Sequence, residues 1–195
     1  MEAVEAGSLE PGETLVESEL VQWAGVSRQP IREALSRMED LGLVIVSPQR
    51  STVIAPIDAV DVANRLEAFG VLLAATLRDG AELFSDEDIA TIAATLGGTD
   101  RVWPFAAGGL ADEAFARFGN VVLAQMWEST RPHARRLRAV SPDLLPLELG
   151  GLELPLLRDA VGQRDGLAMH QLVLTWTNRF IEAAHTPGPE RDGTV

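Results

Sequence analysis

The pattern of the chain changes at Pro56, and that change limits the folds open to it. Before it, apolar residues come in short groups separated by turn formers; after it, they recur at helical spacing over much longer stretches. In the first part, "SLEPGETL" reads as a turn and "ESELVQWAG" as a short helix, with Leu20, Val21 and Trp23 supplying apolar contacts and Gly25 in the C-terminal glycine position. A second helix starts almost at once, with Ser27 as N-cap and Pro30 in the first turn, where a missing N–H costs little. Ile31, Ala34, Leu35 and Met38 fall on one side of it, while Gln29, Arg32 and Ser36 point the other way and Arg28 lies at the border. Gly42 ends this helix. "LVIVSPQRSTVIAP" then gives two β-rich runs, Leu43 to Val46 and Thr52 to Ala55, joined by a polar turn as a hairpin.

Beyond Pro56 the helical patterns run from Ala59 to Asp79, Ser85 to Leu96, Leu110 to Val140 and Pro155 to Ala184, with interruptions. Ser85 followed by "DEDIATIAATL" is an N-terminal capping signature. The chain is therefore expected to be mainly α, with a helix-turn-helix and hairpin unit over residues 1–57, an all-helical bundle over 58–186 and a disordered tail over 187–195.

Composition narrows the function classes. At 195 residues and 46% hydrophobic the chain can bury a sizeable core. It has no cysteine, which excludes disulfide staples, thiolate catalysis and cysteine-ligated zinc. The first residues lack the basic and apolar regions of a secretion signal, and no apolar run approaches the roughly 18 residues of a membrane span, so a cytoplasmic protein without membrane contact is expected. No P-loop, HExxH or GxSxG is present, and the paired acids Asp86 and Asp88 sit where helix capping explains them, so no enzyme is expected. A formal net charge of -13 opposes nucleic-acid binding in general. The charge is polarised along the first unit, however: Glu2, Glu5, Glu10, Glu13, Glu17 and Glu19 precede Gln22, whereas Arg28, Arg32, Arg37 and Arg50 follow it. A local basic face is compatible with the acidic whole.

Two short helices joined through "AGVSR", the second with arginine on its open face, followed by a hairpin, have winged helix-turn-helix geometry. An amphipathic surface helix with solvated arginines fits the same pattern. "PGETLVESELVQWAGVSRQPIREALSRMEDLGLVIVSPQRSTVIA" goes further: in order and register it resembles the DNA-binding domain of the GntR family of bacterial repressors, with PGE, GVSR, P and REAL, GLV, and P and R in the wing. The resemblance implies a double-stranded DNA operator as partner; a homodimer is expected from the apolar helix surface of the second half, more than a small bundle needs, and from the two-fold symmetry of paired half-sites. The resemblance also implies that Ser27, Arg28, Gln29 and Arg32 meet phosphates and base edges, beside Ser36 on the same face and with Arg50 and Thr52 from the wing. Arginine suits that role, since its fork can take guanine O6 and N7 together or clamp a phosphate. The chain departs from the family at Ser18, where arginine is usual, at Ser51, where the wing usually has glycine, and in a short first helix; a reduced phosphate footprint follows.

The second half resembles, more loosely, the FCD ligand domain of the FadR-like branch, through "FSDEDIATIAATL", "DEAF" and "LLRDAVGQRDGLAM". That family often holds a metal through one aspartate and three histidines. Here Asp112 is present, but Ala116, Leu154 and Trp176 stand where the histidines are expected. Of the three histidines, His133 follows Pro132, His185 falls in the tail, and His170 lies six positions before Trp176, about 240° away around a helix. Pro155 favours a helix start that leaves Leu154 outside the helix. No metal and no cofactor are expected. Met169, Val173, Trp176 and Phe180 form an apolar stripe, compatible both with a filled core and with a pocket for an apolar or aromatic effector with Asp112, Arg135 and Trp176 in its walls. Arg131, Arg135, Arg136 and Arg138 form a basic cluster that could attract an anion or serve as a solvated face or salt-bridge network. The expected function is a DNA-binding transcriptional regulator, a repressor modulated by an effector in the helical domain. The alternative is a degenerate regulator that acts through protein contacts without effector or metal.

Overall fold

The short N-terminal elements assemble around a three-stranded sheet. The computed structural model describes residues 2–47, 51–97, 101–106, 108–140, 149–150 and 152–185. The first part contains α1 (Glu2–Glu5), β1 (Thr14–Leu15), α2 (Glu17–Ala24), α3 (Arg28–Asp40), β2 (Val44–Val46) and β3 (Thr52–Ile54). The strands run in the order β1-β3-β2, both pairs antiparallel, with Thr14 opposite Val53 and Val44 opposite Ile54. The hairpin is thus present, and β1 adds a strand too short to give a readable period. Gly25 closes α2 at φ 66, donating its N–H to the Val21 carbonyl, and Gly42 follows α3 at φ 70. Both are left-handed positions that glycine adopts without a Cβ penalty.

These elements enclose a small core of Val4, Leu15, Met38, Leu43, Val44 and Ile54. Met38 is the buried residue of α3; Ile31 and Leu35 are half-buried and Ala34 is exposed. All four line one apolar groove with Leu9, Leu20 and Trp23. Trp23 is expected to supply packing but stands 74% exposed at the groove's rim, because α1 is a single turn and leaves it without cover.

The second part is helical: α4 (Ala59–Leu83), α5 (Asp86–Thr95), α6 (Leu110–Arg117), α7 (Val121–Val140), α8 (Glu153–Gly162) and α9 (Gly166–His185), with β4 (Arg101–Val102) and β5 (Leu149–Gly150) paired antiparallel. Asp58 caps α4 by accepting from the N–H groups of Val60 and Asp61. Ser85 and Asp88 form the capping box expected at α5. The single pattern from Leu110 to Val140 is two helices, broken where Gly119 takes φ 76. The pattern from Pro155 onward is also two, separated at Arg164, a non-glycine residue at φ 55. The Arg164 guanidinium offsets that backbone by donating to the carbonyls of Ala81 (3.1 Å) and Phe84 (2.6 Å) and to Asp86 (2.6 Å). Helix α8 begins at Glu153, so Leu154 lies inside the helix and is buried, contrary to the placement expected from Pro155. Proline is tolerated throughout a first turn, whose N–H groups have no intrahelical acceptor, and so does not mark the first residue. Helix α9 likewise includes His185, which the sequence pattern assigns to the tail; residues 187–195 lie outside the described residues.

Helices α4 and α9 pack closely along the bundle. Gly70 faces the side chain of Thr177, and Gly166 faces the Arg78 carbonyl, at places where a Cβ would collide. The core is aromatic: Trp176 packs on Phe105, Trp103 and Phe180 with ring centroids 5.4, 5.9 and 5.9 Å away. Phe69, Phe105 and Phe115 surround Trp127 in turn. The stripe Met169, Val173, Trp176 and Phe180 is buried along its length.

Candidate nucleic-acid interface

Ser27 occupies the N-cap position of α3 in extended conformation, but its side chain makes no capping hydrogen bond, and the first turn of α3 carries no acid. The first-turn N–H groups therefore lack the side-chain acceptors that usually satisfy a helix start, the arrangement that suits a phosphate. Arg28, Gln29, Arg32 and Ser36 are all exposed along this face. Three of them already have acidic neighbours. The Arg32 Nε donates to Glu17 of α2 at 3.0 Å, the Arg28 Nε lies 4.0 Å from the same carboxylate, and the Gln29 amide donates to Glu33 at 2.8 Å. The hydrogen bond to Glu17, reinforced by its charge, holds the Arg32 guanidinium above its ordinary value. In the wing, Thr52 pairs with Val46 on one side and Leu15 on the other, and its side chain is buried, so little of it faces outward. Arg50 lies outside the described residues.

The other end of this unit is fastened to α7. His133 Nε2 donates to the Leu41 carbonyl at 2.7 Å, immediately after α3. Arg135 reaches Glu5 of α1 at 3.1 Å and Asp112 of α6 at 2.5 Å. The fully buried Arg136 donates to the Ala55 carbonyl just beyond β3. Burial holds both the His133 imidazole and the Arg136 guanidinium below their ordinary values. Of the arginine cluster, Arg131 pairs with Glu128, and Arg138 lies over the Trp103 ring at 5.5 Å. The cluster is thus a salt-bridge and packing network, and its middle two members, Arg135 and Arg136, join the N-terminal elements to the bundle.

Residues 1–54 match the family model described as bacterial regulatory proteins, gntR family. This segment is similar to a GntR-family helix-turn-helix domain, from a family described as bacterial regulatory proteins. Solved structures extend the similarity in fold over nearly the whole chain. A putative transcriptional regulator GntR from Rhodococcus sp. RHA1 is 17% identical, with 94% of this chain and 92% of that one covered at a TM-score of 0.70. E. coli McbR/YncC is 15% identical over the same shares, at 0.67. A GntR family member from Pseudomonas syringae pv. tomato str. DC3000 is 24% identical over 93% and 79%, at 0.50. No curated protein sequence matches the chain significantly. Mainly helical architecture with an N-terminal winged helix-turn-helix is common to the chain and these regulators. Among the described residues no helix is long and apolar enough to cross a membrane.

Behind the GntR domain, two of the three proposed effector-site residues meet. Asp112 and Arg135 form the ion pair above, whereas Trp176 is linked to them through Trp127 and Phe105. Asp112 is a poor fit for a metal ligand. One oxygen accepts from the Trp127 indole at 2.7 Å, and the other from the Gly108 N–H at 2.8 Å and from Arg135, whose positive charge opposes a cation there. Among the described residues no three ligating side chains converge. His133 is engaged by Leu41, and His170 belongs to the α4 side near Asp79, away from Trp176. Glu17, Glu5 and His133 are the members that sequence reasoning missed, and the buried Ala55 contact of Arg136 was not foreseen in the arginine cluster. Glu17 carried a weak signal as an acid one helix away from the arginines. Glu5 and His133 carried none, since their partners lie far away in sequence.

Proposed function

We propose that the protein is a cytoplasmic repressor of the FadR-like branch, with an FCD-type bundle, acting as a homodimer whose operator binding responds to a small molecule in the bundle. The observation that carries the reading is the three-point attachment of the GntR domain to α7 through His133, Arg135 and Arg136. Arg135 bonds at once to Asp112, inside the bundle, and to Glu5, in the DNA-binding unit. A ligand that favours one packing of α6 and α7 therefore changes how the domain is held, which is population shift through a defined contact. In a dimer this alters the separation of two recognition helices, and half-sites one turn apart no longer fit both. The first two turns of α7 expose Val121, Val122 and Met126, an apolar surface suited to a second copy.

On the operator, the open start of α3 with Ser27 would take a phosphate while Arg28, Gln29, Arg32 and Ser36 face the groove, with Arg50 as a further contact; the buried Thr52 would serve the wing's sheet instead. Selection from randomised duplexes with the purified protein tests this. A recovered two-fold motif supports it, and a pool without sequence preference sinks it.

A second reading, regulation without effector or metal, has one specific observation in its favour. Trp176 is fully buried among aromatic rings and both Asp112 oxygens are engaged, which suits a filled core. Thermal-shift screening against apolar and aromatic ligands separates the two readings: a saturable rise in melting temperature with altered operator affinity requires the first.

A further inference from the structure

We propose that Glu17 is a positioning residue for base recognition, holding one edge of the Arg32 guanidinium so that only its terminal edge is offered to DNA. The inference rests on the DNA-binding reading of residues 1–54. The order of exposure supports it: Glu17 is 32% exposed, Arg32 60% and Arg28 72%, so the carboxylate is the more shielded member of both pairs. A guanidinium has two usable hydrogen-bonding edges, one containing Nε and one formed by the two Nη groups. With Nε donating to Glu17 at 3.0 Å, the Nη edge remains, and that edge matches guanine O6 and N7.

The same carboxylate removes charge that the arginines would otherwise give to any phosphate. Glu17 lies in the first turn of α2, where a negative charge is favoured, and the pair is too exposed to add much to folding. Its effect is therefore on DNA: weaker binding to mixed sequence, and a sharper preference at the base pair that Arg32 reads.

The test uses the full chain as wild type, as the single variants Glu17→Gln, Glu17→Asp and Arg32→Ala, and as the double variant that combines Glu17→Gln with Arg32→Ala, all checked for unchanged thermal melting. The probe is a pool of randomised 30-base-pair duplexes, chosen at about three turns of DNA to hold paired half-sites, titrated at several KCl concentrations and then enriched for bound sequences. E17Q is expected to bind the unselected pool several-fold tighter at low salt. Its salt slope should steepen by about 0.9 per protomer, the value for one further phosphate contact. It should also lose roughly tenfold preference at one base-pair position that the wild type selects. E17D keeps the charge but shortens the reach, so it should keep the wild-type slope and lose the preference. Arg32→Ala should lose that same preference, with no further change in it when E17Q is added. A wild-type slope and motif in E17Q overturn the proposal, as does a further loss of preference in the double variant. A wild-type protein that neither binds the pool at low salt nor enriches any motif removes the DNA-binding reading and this inference with it.

Discussion

His133 Nε2 donates to the Leu41 carbonyl at 2.7 Å, which ties α7 of the bundle to the end of α3. A carbonyl only accepts, so the imidazole carries its proton on Nε2. Desolvation holds the His133 value below its ordinary 6.5; the Leu41 hydrogen bond opposes that, Arg65 and Arg136 add to it, and Asp61 opposes it. The sign follows from linkage. Above 6.5 the group is neutral in both folded and unfolded chains, and as pH falls below 6.5 the unfolded chain takes the proton more readily. Stability should decline over that window, down to the depressed folded value. His133→Gln should decline less between pH 7 and the acid end of the window in thermal melts; an identical decline would refute this assignment.

Arg135 is the bridge between Glu5 and Asp112, all three largely buried at 14%, 14% and 15% exposure. Arg135→Ala leaves two carboxylates near each other with their shared cation gone. A loss of ~3 kcal/mol in urea unfolding is expected, within the range for breaking a largely buried pair. Glu5→Gln should cost less, because Asp112 keeps its partner. Equal unfolding midpoints for Arg135→Ala and wild type would contradict the bridge.

Gly70 lets α4 approach α9 at Thr177. A Cβ there would overlap Oγ1 and Cγ2 of Thr177, so Gly70→Ala should destabilise by about 2 kcal/mol, as overpacking does. Thr177→Ala removes those two atoms and should restore part of the loss in the double variant. Additive losses would show that the crossing is not the cause.

The two faces of α3 should separate by measurement. Met38→Ala truncates a buried side chain and should lower stability by ~2–5 kcal/mol. Arg28→Ala, on the exposed face, should melt as wild type yet bind selected DNA more weakly. Reversal of the two outcomes would reverse the assignment of the faces.

Zinc or nickel added to protein at neutral pH should give no stoichiometric heat of binding at Asp112, whose oxygens already accept from Trp127, Gly108 and Arg135. Saturable binding lost in Asp112→Asn would show that this network opens for a metal.

The sequence by itself determined what depends on neighbours along the chain. Gly25 after α2, the Ser85–Asp88 capping box, the β-rich runs on either side of the wing turn, Arg28 and Arg32 on one face of α3 and the buried stripe ending at Phe180 are all set by spacing within a few residues. Such spacing also misled where several backbone solutions share it: Pro155 permitted a helix start before or at itself, and nothing in the pattern from Leu110 required the break at Gly119. Only the tertiary structure decided the partners of polar groups. Arg135 could equally have faced solvent or an anion, and it was the packing of α7 against α1 and α6 that gave it Glu5 and Asp112. Trp23 shows the converse, an apolar residue left 74% exposed because no element covers it. The physical reason is the same for both: periodicity states which face of an element is apolar, but the energy of a charge or a ring depends on what stands opposite it, and that is fixed only when distant segments pack.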